Sequence, residues 1–307
     1  MFAVLDTVLR LEQVGKKYGR KIAVQNISFS VRRGEIVGLV GPNGAGKTTL
    51  MRIIVGLLRH YEGRVFLNER PVKTGDRQSA GKIGCMIETP GFYPYLSGYE
   101  NLKFLSAFSG RVPDEKILET ARKLGLAKVL HQKVRQYSLG MRQRLAIALA
   151  VLHQPSLLVL DEPANGLDPA GILEMRDYLR ELADKSNIAI LISSHHLSEI
   201  ERICDRVAIL NRGAMVKWLD MKQDNEKTCV YVFETNRATE LAARLRQNGV
   251  TVLGTEAGAV LVQTKRESVA AVIRTAAATG IDFTAVYERK ETLEQEFLEA
   301  VGGVSIE

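Results

Sequence analysis

The spacing of apolar and polar positions changes character about two-thirds of the way along the chain. Up to about residue 215, short runs of Val, Ile and Leu alternate with segments of helical spacing. That is the pattern of an α/β domain built on a largely parallel sheet. The runs Glu35–Val40 (EIVGLV), Ser156–Leu160 (SLLVL), Ala189–Ser193 (AILIS) and Val207–Leu210 (VAIL) show no polar alternation, as expected of strands covered on both faces. Each runs into a polar or Gly-containing loop.

The stretch Trp218–Thr228 is polar and aperiodic and reads as a linker. It separates a domain over residues 1–217 from a smaller one over 228–307, with 218–227 between them. Thr228–Glu234 then reads as strand, Arg237–Gln247 as amphipathic helix, and Val250–Leu253 and Ala259–Thr264 as strands. Glu267–Ala278 follows as helix and Ile281–Tyr287 as strand, giving βαββαβ, the order of a small α+β ferredoxin-like domain. Thr292–Ala300 closes as a helix with Gly302 and Gly303 past its end.

Composition narrows the classes. A chain of 307 residues with 46% hydrophobic and 25% charged residues is expected to fold around a sizeable core. No run approaches the ~18 apolar residues that cross a bilayer; Leu145–Leu152 and Ser156–Leu160 are core-sized. The N-terminus carries Asp6 among its apolar residues and no preceding basic stretch, unlike a secretory signal, so a cytoplasmic location is expected. Cys85, Cys204 and Cys229 lack metal-ligand spacing and read as reduced core thiols. The net charge of +7 is dispersed, as in Lys16-Lys17 and Arg32-Arg33. That spread argues against a nucleic-acid partner.

The chemistry is concentrated after the first buried strand. Gly41-Pro42-Asn43-Gly44-Ala45-Gly46-Lys47-Thr48, continuing into Thr49, matches the phosphate-binding P-loop. In such a loop several N–H groups converge on phosphate oxygens, and the following helix, predicted over Lys47–Leu57, directs its positive end at them. Lys47 is expected to bridge the β- and γ-phosphates of ATP and the Thr48 hydroxyl to ligate Mg²⁺. The strand Leu157–Leu160 runs into Asp161-Glu162. A carboxylate there lies in the crevice where open α/β sheets bind ligands, so Asp161 is expected at Mg²⁺ and Glu162 as general base to the attacking water.

Tyr137-Ser138-Leu139-Gly140-Met141 resembles the signature motif of the ABC ATPases, usually Leu-Ser-Gly-Gly-Gln, with Tyr137, Leu139 and Met141 as departures. The resemblance extends in order over about residues 7–215. Leu191–Glu199 resembles the switch-histidine segment with His195 at the matching position, Asn165–Asp168 the loop through which paired sites communicate, and Tyr18 the aromatic that stacks on adenine. It implies an α/β P-loop NTPase of ABC type with a helical subdomain over about 89–152. It also implies a second ATPase subunit, a copy or a close relative, whose Ser138 and Gly140 face the γ-phosphate held by Lys47, with Asp168 at the shared interface. ATP and Mg²⁺ are the implied ligands, and a polytopic membrane permease is the implied partner. The location implied is peripheral, on the inner face of the cell membrane.

Ile83–Gly91 resembles the segment that normally carries a Gln sensing the γ-phosphate and Mg²⁺; here the residue is Glu88. A Gln both accepts and donates, whereas an ionised Glu only accepts. The substitution is similar to that in ATPases exporting peptide antibiotics, including the bacitracin-resistance and lantibiotic-immunity transporters. It places Glu88 as a third metal ligand and Glu88–Asn101 as the permease docking groove. An exporter ATPase, for peptide antibiotics or lipids, is the reading this favours. An importer ATPase or a non-transport ABC ATPase is the alternative.

Overall fold

The computed structural model describes residues 6–73, 75, 81–88, 91–108, 110, 112–221, 228–256, 258–289 and 293–302. By packing, the chain forms two units: Met1–Met221 together with Phe297–Glu307, and Lys222–Glu296.

The first unit contains, in chain order, β1 (Thr7–Tyr18), β2 (Lys21–Arg32), β3 (Ile36–Val40), α1 (Lys47–Ile54), β4 (Glu62–Leu67), β5 (Arg70–Pro71) and β6 (Ile83–Met86). There follow α2 (Gly98–Ser106), α3 (Asp114–Lys123), α4 (Leu139–Val151), β7 (Leu157–Asp161), α5 (Pro169–Ser186), β8 (Ala189–Ser193), α6 (Leu197–Ile203), β9 (Arg206–Asn211) and β10 (Ala214–Asp220). The predicted apolar runs are strands of one six-stranded sheet in the order β10-β9-β3-β8-β7-β6. All of its pairings are parallel except β9 with β10. Every residue of β3 and β8 is buried, which is why these segments carry no polar alternation. A second sheet, β2-β1-β4-β5, is antiparallel. Its inward residues Leu9, Leu11, Ile27 and Val31 share one core with Leu50, Met51 and Ile54 of α1 and with Val37 and Leu39 of β3.

The sheet's edge is held by charge as well as packing. Glu35, 9% exposed, accepts from Arg206 at the start of β9 and from the Arg32 N–H. Arg206 also lies over the Trp218 ring, 4.8 Å from its centroid, and Trp218 packs on Phe29 at 5.5 Å. Trp218–Asp220 therefore belong to β10, paired with β9 from Trp218↔Ala208 onward, and not to the predicted linker. The aperiodic polarity of this stretch hides a hairpin whose turn is Arg212-Gly213. Residues 222–227, the rest of that linker, lie outside the described residues. The helix predicted over Lys47–Leu57 ends at Ile54.

The second unit is built from β11 (Thr228–Glu234), α7 (Ala238–Gln247), β12 (Val252–Glu256), β13 (Ala259–Lys265), α8 (Val269–Ala278) and β14 (Ala285–Arg289). The sheet order β12-β13-β11-β14, antiparallel throughout, is that of a ferredoxin-like domain. Phe233, Leu241, Leu245, Val260 and Val262 form its core. Two strand predictions sit too early in the chain. Ile281 is buried, but in the loop before β14, so its apolar character serves the core and not the sheet. Likewise, β12 begins at Val252 and not at Val250. The last helix, α9 (Leu293–Val301), includes Phe297 and Val301, which pack with the first unit. The small domain thus ends earlier by packing than the predicted 307.

Candidate functional site

The ends of three neighbouring strands bring the expected residues together. β3 pairs with β8 through Leu39↔Ser193, and β7 pairs with β8 through Asp161↔Ser193. The P-loop after β3, His195 after β8, and the Asp161-Glu162 pair at β7 therefore share one crevice at the carboxyl end of the sheet.

The loop Gly41–Gly46 leads directly into α1, whose first residue after the Gly46 cap is Lys47. Gly46 has φ 104°, and a Cβ on it would stand 2.2 Å from the Ala23 carbonyl oxygen, so no other residue fits. No side chain caps this helix, which leaves its first N–H groups free for an anion. Lys47 is 8% exposed and its ammonium donates to the Gly41 carbonyl at 2.6 Å. Burial pushes its pKa down from the ordinary lysine value, while Glu162 and Asp161 act in the opposite direction. A polyphosphate would add further counter-charge.

Thr48 Oγ1 donates to Asp161 Oδ2 at 2.8 Å, and the other oxygen of Asp161 accepts from the Ser193 hydroxyl. Ser193 is fully buried and orients Asp161. It escapes motif reading because its role needs β7 and β8 to be adjacent. Glu162 sits at φ 50°, its N–H donating to Ser193 Oγ at 3.0 Å. Its Oε2 accepts from His195 Nδ1 at 2.8 Å and from the His195 N–H at 3.3 Å. A carboxylate only accepts, so Nδ1 carries the proton and His195 Nε2 is left without it. A ring in that tautomer donates from Nε2 only when doubly protonated.

A cavity of about 850 Å³ is walled by Gly41 to Ala45, Glu162, Asn165 and His195. Phe297 and Val301 of α9 complete the wall. No local sequence signal singles these two out beyond the amphipathic spacing of the helix. Tyr18, at the end of β1, is 46% exposed and so open to stacking; Lys16 Nζ lies 5.1 Å from its ring centroid. Thr49 lies within the first turn of α1.

The structure does not bring every expected residue to this cavity. Ser138 caps α4, accepting from the Met141 N–H at 3.2 Å, and neither it nor the buried Gly140 lines the cavity. Asp168 caps α5, accepting from the Gly171 N–H at 3.0 Å. Glu88, with φ 68°, is ion-paired with Arg52 of α1. Beyond Glu88, Tyr93 and Asn101 are tied by reciprocal bonds of 2.8 and 3.1 Å. Tyr93, Tyr95, Phe104 and Phe108 form a chain of exposed aromatic contacts.

A family model described as ABC transporter matches residues 24–165, and one described as AAA domain, putative AbiEii toxin, Type IV TA system, matches residues 130–201. The chain is 38% identical over 295 residues to the uncharacterized ABC transporter ATP-binding protein YdbJ of Bacillus subtilis (strain 168), covering 96% of each. It is 36% identical over 305 residues to the bacitracin transport ATP-binding protein BcrA of Enterococcus faecalis, covering 99% of each. Among solved structures, an ATP-binding subunit of an ABC transporter superposes with a TM-score of 0.64 at 30% identity, covering 70% of this chain and 90% of the other.

Proposed function

The chain belongs to the ABC transporter family of ATP-binding proteins, and from that premise we propose that it is the ATPase subunit of a membrane exporter acting on peptide antibiotics or lipids. The observation that carries the chemistry is the meeting of Lys47, the Thr48–Asp161 pair and the Glu162–His195 pair at the ends of β3, β7 and β8. The likeness to a bacitracin transport protein over nearly the whole chain and Glu88 at the Gln position favour export.

In hydrolysis the P-loop N–H groups and Lys47 hold the polyphosphate, with Tyr18 stacked on adenine. The Glu162 carboxylate takes a proton from water as its oxygen bonds to the γ-phosphorus; the bridging P–O bond breaks and ADP leaves. His195, when its ring is doubly protonated, donates to the γ-phosphate. The donor set suits Mg²⁺: a hydroxyl and a carboxylate already meet, and no group of three or more His, Cys, Asp or Glu able to hold a metal occurs among the described residues. Mg²⁺ is usually held by one or two carboxylates plus phosphates and water. Thr48 and Asp161 would hold it, with Glu88 joining if released from Arg52; bound there, it offsets charge on the β- and γ-phosphates.

A second ATPase subunit is the source of the Ser138, Gly140 and Asp168 contacts that the family resemblance implies. Two chains pair head to tail, each presenting its signature segment to the nucleotide of the other. No helix among the described residues is long and apolar enough to cross a membrane. In this reading the transport path belongs to a polytopic permease, which docks at Glu88–Asn101, with its exposed aromatics, from the cytoplasmic side. Affinity purification from native cells after gentle solubilisation, followed by mass spectrometry, tests this. A polytopic permease in the eluate supports the reading, and its family separates export from import. Ribosomal or DNA-associated partners alone would overturn the transport role.

A further inference from the structure

The signature segment and the loop after Glu162 are built on each other within one chain. Leu139, a leucine where the family resemblance has glycine, lies against Gly166. A Cβ placed on Gly166 would have Leu139 atoms as its three nearest neighbours, Cδ2 at 2.4 Å and Cγ at 2.6 Å among them. One residue on, a Cβ on Gly140 would meet the Gly166 carbonyl oxygen at 2.9 Å and Leu167 Cδ2 at 3.1 Å. The loop is in turn bonded back to the catalytic carboxylate's own backbone. The Asn165 N–H donates to the Glu162 carbonyl at 3.2 Å and the Leu167 N–H to the Ala164 carbonyl at 3.1 Å. Farther along α4, Arg144 bonds Glu174 of α5 at 2.6 Å and the Leu124 carbonyl at 3.2 Å. That strut joins the two helices.

We propose that Leu139 is a positioning residue that locks the Asn165–Asp168 loop to the signature helix of the same chain. The residues offered to a partner's phosphates then move as one body with the loop bonded to this chain's own Glu162. Glycine at 139 would take away the side chain that packs on Gly166, whose turn lies at φ +78°. Packed contacts of this kind have discrete arrangements and transmit displacement. The lock itself is a property of the single chain; its effect on paired sites rests on the head-to-tail reading above.

Hydrogen exchange on the full chain, in Leu139→Gly and Leu139→Met variants, tests the lock without requiring a dimer. The expected result is exchange at the Asn165 and Leu167 amides about fivefold faster in Leu139→Gly, with Leu139→Met close to the parent and ATP affinity of the single chain unchanged. Unchanged exchange at both amides in Leu139→Gly overturns the proposal. If Leu139→Gly does not fold, Leu139→Ala takes its place with the same criterion. The same substitutions in a Glu162→Gln background then report on pairing by light scattering with ATP, where Leu139→Gly is expected to weaken the dimer about tenfold, about 1.4 kcal/mol. A Glu162→Gln parent that stays monomeric refutes the head-to-tail reading, while the exchange result decides the lock.

Discussion

Replacing Glu162 with glutamine removes one property of the site and leaves its geometry in place. The side chain keeps its length and an oxygen able to accept from His195 Nδ1, now 2.8 Å from Oε2. What disappears is the ability to take a proton from water. General-base assistance is worth about 10²–10⁴ in rate, equivalent to about 2.7–5.4 kcal/mol of barrier. The groups proposed to bind nucleotide have other partners: Lys47 is held by the Gly41 carbonyl, and Thr48 by Asp161. Glu162→Gln should therefore bind ATP as the parent does, release phosphate at least about a hundredfold more slowly in single turnover, and accumulate as an ATP-bound dimer. Isothermal titration, stopped-flow phosphate detection and light scattering measure the three quantities separately. Turnover within about threefold of the parent, far short of the loss that removing a general base entails, would refute the assignment of Glu162 as the base.

Other expectations follow from neighbouring contacts. Burial lowers the Lys47 pKa below its ordinary value of 10.5, and bound phosphates favour its charged form; ATP affinity should therefore begin to fall with rising pH below 10.5, and a titration showing no alkaline loss there would contradict it. Glu88→Ala frees Arg52 and should impair transport into vesicles more than basal ATP hydrolysis, with equal losses assigning Glu88 to chemistry. Glu35→Ala removes the carboxylate partner of the nearly buried Arg206, which keeps the Ser30 carbonyl and the Trp218 ring, and should destabilise the fold by about 1–3 kcal/mol, read as a lower urea midpoint; an unchanged midpoint would mean that the remaining contacts satisfy Arg206.

Features carried by consecutive residues could be read from the sequence. The P-loop, the Asp161-Glu162 pair and the fully buried strands each declare themselves within a few positions, and so does the βαββαβ order of the small unit. Features that need two distant segments to meet were not legible. Ser193 orients Asp161 only because β8 lies beside β7. Arg52 meets Glu88 only through the fold, and Trp218 looks like linker because its strand finds its partner across a Gly213 turn. That hairpin did leave a trace, since Arg212-Gly213 separates two β-compatible runs.

Phe297 and Val301 have a practical bearing on how this protein can be dissected. The chain leaves the ATPase unit after Met221 and counts with it again from Phe297, so residues 222–296 are topologically a detour and not a tail. Cutting the gene at 221 would delete the small unit but also strip two apolar side chains from the wall of the cavity beside the P-loop. A cleaner excision would remove 222–296 and keep Phe297 and Val301 in the chain.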